Sequence, residues 1–556
     1  MSLKNHIIGV FSFLNERAEY AVLRNYQGLP DDNASRDIDI IISRKCFREI
    51  KRELVEVLCE NGWKIITYLN SDRLITFVCA KNVGHETEIV QWDFFVNTSV
   101  WGVELMAAEE FLASRVWNGF LWHVDVVGEF LDKYLYNRAV GCSYPAKYDA
   151  IRRRILGPHT EDLSRTEDIL YTERTENTEF FRRRLKDRWL TLRVPSGFDL
   201  SPTDDTDCSD SNSSFSSIRS LTSSKIARRI DTDFNAGAAT ASSVLSVSSV
   251  REKESSVREK NNSVRKKEIS VSKEKISVRV SKKLNEVFGC GDLERCDVMS
   301  GKRLLWNAVK WNLKRRPFAL IAEVCAFIYS FVRNYLRSNT GFSIGFTGPD
   351  GVGKTTVIEL LIARLGDVFR TAHAYMHFRP MLFGNLGEVA HSAGLKKEVD
   401  REYTKPHRGG RVGVVSSLVR LMYYSVDYVV GYWLKVKSQI RITRLVIFDR
   451  YYTDVICDSR RSRIFLNYRF LYWFGRVFIP RLDYNILLTA QTETILERKQ
   501  ELTREGIEMI NEKIDYLAGK RGYKRVMNEA TAAEAVTEIL EWVFAEQHKR
   551  NMKRIV

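Results

Sequence analysis

Phe342-Ser-Ile-Gly-Phe-Thr-Gly348-Pro349-Asp350-Gly351-Val352-Gly353-Lys354-Thr355-Thr356 runs from an apolar strand through a glycine-rich turn and straight into the apolar helical run Val357 to Leu365. Glycines let backbone N–H groups face phosphate oxygens, and a helix that opens at once adds its positive end. The spacing predicts a nucleotide site along Gly348, Asp350, Gly351, Gly353, Lys354, Thr355 and Thr356. In it Lys354 reaches the β- and γ-phosphates of ATP and Thr355 coordinates Mg²⁺. The eight-position pattern with its strand and helix context is specific in a way that an isolated glycine-rich turn is not.

Other segments narrow the kind of nucleotide protein. No Asn-Lys-x-Asp sequence for reading guanine is present, and no Ser-Gly-Gly-Gln transporter signature. A second apolar strand, Leu445 to Phe448, ends in Asp449-Arg450-Tyr451-Tyr452. That places a carboxylate and a guanidinium at the C-terminal edge of a parallel sheet, where ligands bind. Asp449 either holds the Mg²⁺ shell or accepts a proton, and Arg450 clamps an acceptor anion. The same dipeptide is also what an ordinary strand-end ion pair looks like.

Gly348 to Thr356 together with Phe448-Asp449-Arg450-Tyr451 resembles the thymidylate kinase branch of the nucleoside monophosphate kinases, over roughly residues 340 to 545. The resemblance implies a P-loop kinase fold with ATP and Mg²⁺ as cofactors, and Asp350 and Arg450 on the acceptor side. It also implies a basic lid on the predicted helix Thr492 to Leu502, where Arg498 covers the transferring phosphoryl group with Lys499 and Arg504 behind it; a solvated charged helix is the alternative. The implied catalytic set is Lys354, Asp449, Arg450 and Arg498. Two departures stand out. His377-Phe378-Arg379-Pro380 replaces the Arg-Glu-Pro-Gly of orthodox thymidylate kinases, leaving Arg379 to meet an acceptor phosphate. Thr453 to Arg463, with Arg460, Arg461 and Arg463, replaces the usual Ser-x-x-Ala-Tyr-Gln and suits a larger or more anionic acceptor. In these features the chain resembles the thymidylate-kinase-like proteins found among bacterial surface-polysaccharide genes, which implies a nucleotide and a small phosphorylated or sugar acceptor as partners.

The first half carries a second constellation. A helix is predicted over Phe11 to Ala21, a strand over Ile38 to Ile42, a helix over Phe47 to Glu60, and strands over Trp63 to Leu69, Leu74 to Cys79 and Glu88 to Val96. Trp101 to Tyr148 reads as added helices, with Trp92, Trp101, Trp117 and Trp122 in the core. Alternation places Asp37 and Asp39 on one face of a strand, and Asp93 lies on another strand among apolar residues. Three converging carboxylates suit two Mg²⁺ ions that activate a hydroxyl and steady a leaving pyrophosphate. This region, about 15 to 140, resembles the nucleotidyltransferase fold of DNA polymerase β and the aminoglycoside nucleotidyltransferases. The Gly-Ser or Gly-Gly turn of that family is replaced by Tyr26-Gln27-Gly28, with Ser35 or Arg36 as substitutes. Both an active transferase and a binding domain without turnover remain open.

The expected architecture is α/β throughout: a nucleotidyltransferase-like domain with appended helices over 1–195, a disordered Ser/Lys/Arg-rich linker over 196–285, a helical lead-in over 286–339, and a P-loop kinase domain with a parallel sheet over 340–556. The linker assignment rests on fifteen serines between Ser201 and Val250, followed by Ser-Val-Arg repeats. Twelve basic and five acidic residues between Arg251 and Asn285 account for part of the formal +16 net charge, so nucleic acid is a minor hypothesis and weak membrane-surface contact a further one. Nine scattered cysteines with no CxxC pair predict reduced thiols and a cytoplasmic protein, peripheral to a membrane at most. Ile7 to Leu14 reads as a buried helix, and Pro317 to Val332, which contains Glu323, as a packing helix shorter than a membrane span. An oligomeric state does not follow from the sequence.

Overall fold

A computed structural model describes residues 3–33, 36–156, 276–337, 341–365, 374–380, 382, 413–441, 445–499 and 502–555. The expected linker therefore lies almost wholly outside the described residues, as does Ser35. The first half forms a seven-stranded sheet from β1 (Tyr20–Val22), β2 (Asp37–Ile42), β3 (Lys64–Asn70), β4 (Leu74–Val83), β5 (Glu86–Phe95), β8 (Val116–Trp117) and β9 (Trp122–His123). Its order is β3-β4-β5-β2-β1-β9-β8, and a separate hairpin joins β6 (Asn97–Val100) to β7 (Val103–Ala107). The sheet is mixed. Strand β2 runs parallel to β5 and antiparallel to β1.

The second half builds a five-stranded sheet from β10 (Phe342–Thr347), β11 (Ala374–His377), β12 (Leu445–Asp449), β13 (Tyr484–Thr489) and β14 (Tyr523–Met527), ordered β11-β12-β10-β13-β14. Every pairing in it is parallel. Strands β10 and β12 are buried along their whole length, as strands of a parallel sheet covered on both faces are; Ile344, Phe346, Ile447 and Phe448 are fully buried. The fold is thus α/β in both halves, as the sequence predicts.

The two halves share packing. Along β3 and β4 the side chains alternate: Ile65 and Phe77 enter the first half's own core, while Ile66, Val78 and Ala80 join the core of the second half. The covering element is the helix Ala532–Ile555, with Ile539, Leu540 and Val543 fully buried. Each such side chain contributes about 2 kcal/mol of apolar burial. Polar groups fix the register of the contact: the Ile65 backbone N–H donates to His548 Nδ1, and the Asn551 amide donates to the Ile65 carbonyl, both at 3.2 Å.

A helix over 276–288 occupies what the sequence assigns to the end of the disordered linker, because its apolar residues find a core, and it and the lead-in helix Gly301–Arg315 bury themselves with the first half. Leu284 and Phe288 on the helix 276–288, and Leu304 and Ala308 on the helix Gly301–Arg315, pack with Phe130, Tyr134 and Leu135 of the helix Val126–Val140.

Several local expectations are corrected. The first helix spans Leu3–Arg17 and ends before Ala21, because Tyr20, Ala21 and Val22 pair with Ile42, Ile41 and Ile40. The span from Trp101 to His123 is mostly hairpins, since β-branched and aromatic residues there serve cross-strand pairs. Trp92 is buried, but Trp101 sits at a hairpin tip with φ of 53° and Trp117 on a two-residue edge strand, so both are exposed. The helix predicted over Thr492 to Leu502 stops at Arg498, where Lys499 turns extended at φ −159°. Finally, Cys290 and Cys296 form a disulfide with Cα atoms 5.8 Å apart, against the expectation of wholly reduced thiols. Cys296 lies on the short helix Leu293–Val298 and Cys290 just before it, a six-residue separation outside the CxxC pattern.

Candidate functional site

The glycine-rich loop leaves the C-terminal end of β10 and enters the helix Lys354–Leu365. Gly353 has φ of +87°, and a Cβ there would stand 2.6 Å from the Asn528 amide nitrogen, so only glycine fits. Asn528 in turn donates to the Val352 carbonyl at 2.8 Å, which ties the turn after β14 to the loop. Lys354 is buried and its ammonium donates to the Gly348 and Pro349 carbonyls at 2.9 and 2.8 Å. Burial pushes this lysine down to about 8, with Arg450 adding to the effect and Asp350, 3.8 Å away, opposing it. Thr355 and Thr356 are exposed at the helix start.

The end of β12 faces this loop. Arg450 is buried with φ of +73°, a strained backbone for a residue other than glycine, and its N–H donates to the Phe346 carbonyl at 2.9 Å. Its guanidinium binds both oxygens of Asp454, at 3.0 and 3.1 Å, and also Asp350. Arg461 reaches the other Asp350 oxygen at 2.7 Å. Asp350 and Arg450, which the sequence put together on the acceptor side, do meet, with Arg461 in the place expected of Arg379, and Asp454 and Asp350 take up much of the arginines' charge. Arg460 and Arg463 are exposed. Burial raises Asp454 despite its Arg450 partner.

Asp449 accepts from the Tyr375 hydroxyl at 3.0 Å on one oxygen. Its other oxygen, Oδ1, is buried without a hydrogen-bond partner. A buried orphaned carboxylate oxygen beside a phosphate loop fits a divalent cation, so Asp449 and Thr355 are the residues that would hold Mg²⁺. Tyr375 is pushed up to about 12, by burial first and then by Asp449.

Arg379 and Arg498 are placed differently from the expectation. Arg379 is buried in an ion pair with Asp427 at 3.0 Å and stacks over Tyr424, so it is engaged by the helix Val414–Gly431 instead of being presented to solvent. Arg498 donates to the Asn528 and Glu529 carbonyls at 2.9 and 3.3 Å, bracing the turn that holds the loop. Lys499 stands against the loop, since a Cβ on Gly351 would meet its Cβ at 3.0 Å. Arg504 forms an exposed pair with Glu493 at 2.6 Å.

In the first half the parallel register of β2 and β5 sets Asp39 opposite Asp93. Carboxylate oxygens of Asp37, Asp39 and Asp93 lie within 4.8 Å of one another, a spacing that suits a metal ion. Asp39 Oδ2 pairs with Arg24 at 2.6 Å, whereas Oδ1 is buried and orphaned. Burial pushes Asp39 up to about 6; Arg24 pulls it down, and Asp93 and Asp37 push it up. Asp93 accepts from Thr76 at 2.5 Å and from Gln91 at 2.8 Å.

The sequence places Arg24 at the head of the first-half constellation without a role, and it gives no sign of Thr76, Asp132, Tyr375, Asp427 and Asn528 as site-forming residues. Arg24 bridges Asp39 and Asp132, and Thr98 donates to Asp132 at 2.7 Å. Only Gln91 gave a local signal, since period-two alternation puts it on the face of Asp93.

No protein-family description matches the chain, and no curated protein matches it. Among solved structures, a thymidylate kinase from Ehrlichia chaffeensis is 15% identical, with 36% of this chain and 98% of that chain covered and a TM-score of 0.26. That likeness is too slight to bear on chemistry.

Proposed function

We propose that the chain is an ATP-dependent phosphotransferase whose reaction takes place between the Gly348–Thr356 loop and the end of β12. The observation that carries this reading is the orphaned Asp449 Oδ1 beside a phosphate loop whose lysine is held on the loop's own carbonyls. On nucleotide binding Lys354 exchanges those carbonyls for phosphate oxygens. Mg²⁺, held by Thr355 and Asp449, supplies neutralisation of the triphosphate charge. Asp350 and Arg450 order the acceptor side, with Arg461 as their third member and Arg498 and Lys499 flanking the loop. The acceptor is a nucleoside monophosphate or another small phosphorylated compound; a sugar, nucleoside or glycan end is the runner-up, supported by exposed Arg460 and Arg463.

A second activity, nucleotidyl transfer, is supported by the Asp37, Asp39 and Asp93 cluster and by the orphaned Asp39 Oδ1. The competing reading is a nucleotide-gated scaffold with little turnover in either half.

The test follows γ-labelled ATP with purified protein and a panel of nucleoside monophosphates, nucleosides and sugar phosphates, using Lys354→Ala as the blank. Label on one acceptor, absent from the blank, supports the kinase and gives its acceptor class. Saturable ATP binding with no transfer to any acceptor supports the scaffold.

A further inference from the structure

The helix Pro317–Arg337 turns its polar residues inward together with Leu320 and Val324, which pack on the core of the first half, and leaves most of its other apolar residues outward. On the inner side Glu323 pairs with Arg316 at 3.2 Å, the Ser330 hydroxyl reaches Asp72 at 3.4 Å, and Arg333 donates to the Asn70 carbonyl. The Asn334 amide donates to that same carbonyl at 3.2 Å. The docking is close: a Cβ on Gly102, at the tip of the β6–β7 hairpin, would stand 2.7 Å from the Glu323 carbonyl oxygen. On the outer side Phe318 is 86% exposed, Ile321 58% and Tyr329 65%, with Cys325, Ile328 and Val332 completing the stripe. These positions recur at three- and four-residue steps, so they lie on one helix face, and none of them is charged.

A helix held to a soluble body normally buries its apolar stripe, because that burial is what stabilises the docking. Here Leu320 and Val324 serve that docking while a second apolar stripe, on the outer side, remains in water, and an exposed apolar patch of this kind marks an interaction surface. The adjoining helix, Gly301–Arg315, indicates the partner. It carries Lys302, Arg303, Lys310, Lys314 and Arg315, all exposed, and no carboxylate. Trp306 is exposed on it, with Lys310 Nζ 5.8 Å from the indole ring. Exposed cations and an aromatic ring beside an apolar stripe match a bilayer interface, where cations meet anionic headgroups and apolar side chains enter the acyl boundary. By length and composition Pro317–Asn334 also passes as a membrane span. The hydrogen bonds of Ser330 and Arg333 instead tie the helix to the end of β3 and the turn after it, and Arg316, paired with Glu323, also reaches Glu104 of β7, which suits a helix lying flat on the surface.

We propose that Gly301–Arg315 and Pro317–Arg337 together form a docking face for an anionic membrane surface, on which both halves of the protein are carried. The test is flotation of the full chain on vesicles of phosphatidylcholine alone and on equimolar phosphatidylcholine and phosphatidylglycerol, beside the double variant Phe318→Asp, Ile321→Asp. Both positions are exposed, so the variant keeps the fold, checked by its thermal unfolding and its ATP binding. The expected result is flotation with phosphatidylglycerol vesicles that weakens with added salt and falls about tenfold or more in the variant. No flotation on either vesicle overturns the proposal. Unchanged flotation of the variant also overturns it, because the basic segment 251–285 would then be responsible. A dimer in sedimentation that the variant reduces to a monomer overturns it as well, since the face would then belong to a second copy of the chain.

Discussion

The Lys354 ammonium stands 2.8 Å from the Pro349 carbonyl, so the group expected to meet phosphate is satisfied by its own loop when no phosphate is there. Burial lowers this lysine to about 8 from an ordinary 10.5. Between those values the folded protein binds fewer protons here than the unfolded chain, so this group's contribution to stability rises with pH across that window and is constant below about 8. A bound polyphosphate favours the charged form and raises the lysine again. At a pH just above 8, nucleotide binding therefore takes up a proton, and affinity falls as pH rises further. Calorimetric titration in two buffers of different ionisation enthalpy measures the uptake; equal heats in both would contradict it.

Lys354→Ala removes that charge without touching a core apolar contact. Phosphoryl transfer is expected to fall on the order of 100-fold or more, since this chemistry depends on positioning and charge stabilisation. The thermal midpoint should not fall. A variant that turns over at the native rate would remove Lys354 from the mechanism.

Asp454→Ala leaves Arg450 buried with Asp350 as its remaining carboxylate partner in the fork, while its backbone stays at φ +73°. Breaking a buried pair from one side costs about 3 kcal/mol or more. Denaturant titration should show a lower midpoint with an unchanged slope, and acceptor-dependent activity should fall with it. Asp454→Asn, which keeps one acceptor oxygen for Arg450, should lose less.

For the carboxylate cluster of the first half, the readout is metal binding in the absence of substrate. Mn²⁺ binding to the folded state alone raises the thermal midpoint, by about 2.7 kcal/mol of stabilisation at 100 times the dissociation constant. Asp93→Asn should abolish the midpoint shift that depends on this cluster, while Lys354→Ala should leave it intact. Equal shifts in the native protein and in Asp93→Asn would mean that the cluster is structural.

Gly102→Ala places a Cβ 2.7 Å from both the Glu323 carbonyl oxygen and the Val324 Cα, at a residue with φ of +82°. The expected cost is about 1–3 kcal/mol, combining the clash and the backbone strain. Hydrogen exchange should rise in the helix Pro317–Arg337 more than in the strands of the second half. Uniform exchange across the chain would show that the helix does not depend on this contact.

The glycine-rich loop was legible as a strand-loop-helix unit because all its parts are contiguous: the strand, the glycines, Lys354 and the start of the helix fall within fifteen residues. Asp37 and Asp39 were legible for the same reason, through period-two alternation. What escaped was set by partners distant in sequence. Arg379 has the right type for an acceptor ligand, yet Asp427, forty-eight residues on, holds it at 3.0 Å. Arg24 precedes the acid pair without any motif, and its two carboxylates come together only through the sheet and the Val126–Val140 helix. The helix Pro317–Arg337 was identified by its apolar content, but which side faced the body depended on Gly102, Asn70 and Asp72, none of which is near it in sequence.

Asn551 closes its hydrogen bond to Ile65 across 486 positions of chain. Strand β3 is an edge strand of its sheet, and Ile66 waits for a cover made several hundred residues later. At elongation rates of about 5–20 residues per second, that interval is on the order of half a minute or more. Throughout it the nascent first half shows an apolar flank and an open edge, a surface that invites holding chaperones or mispairing between neighbouring chains. Chain order here is therefore also a schedule: the sheet of the first half is finished by a helix that follows it by 486 positions.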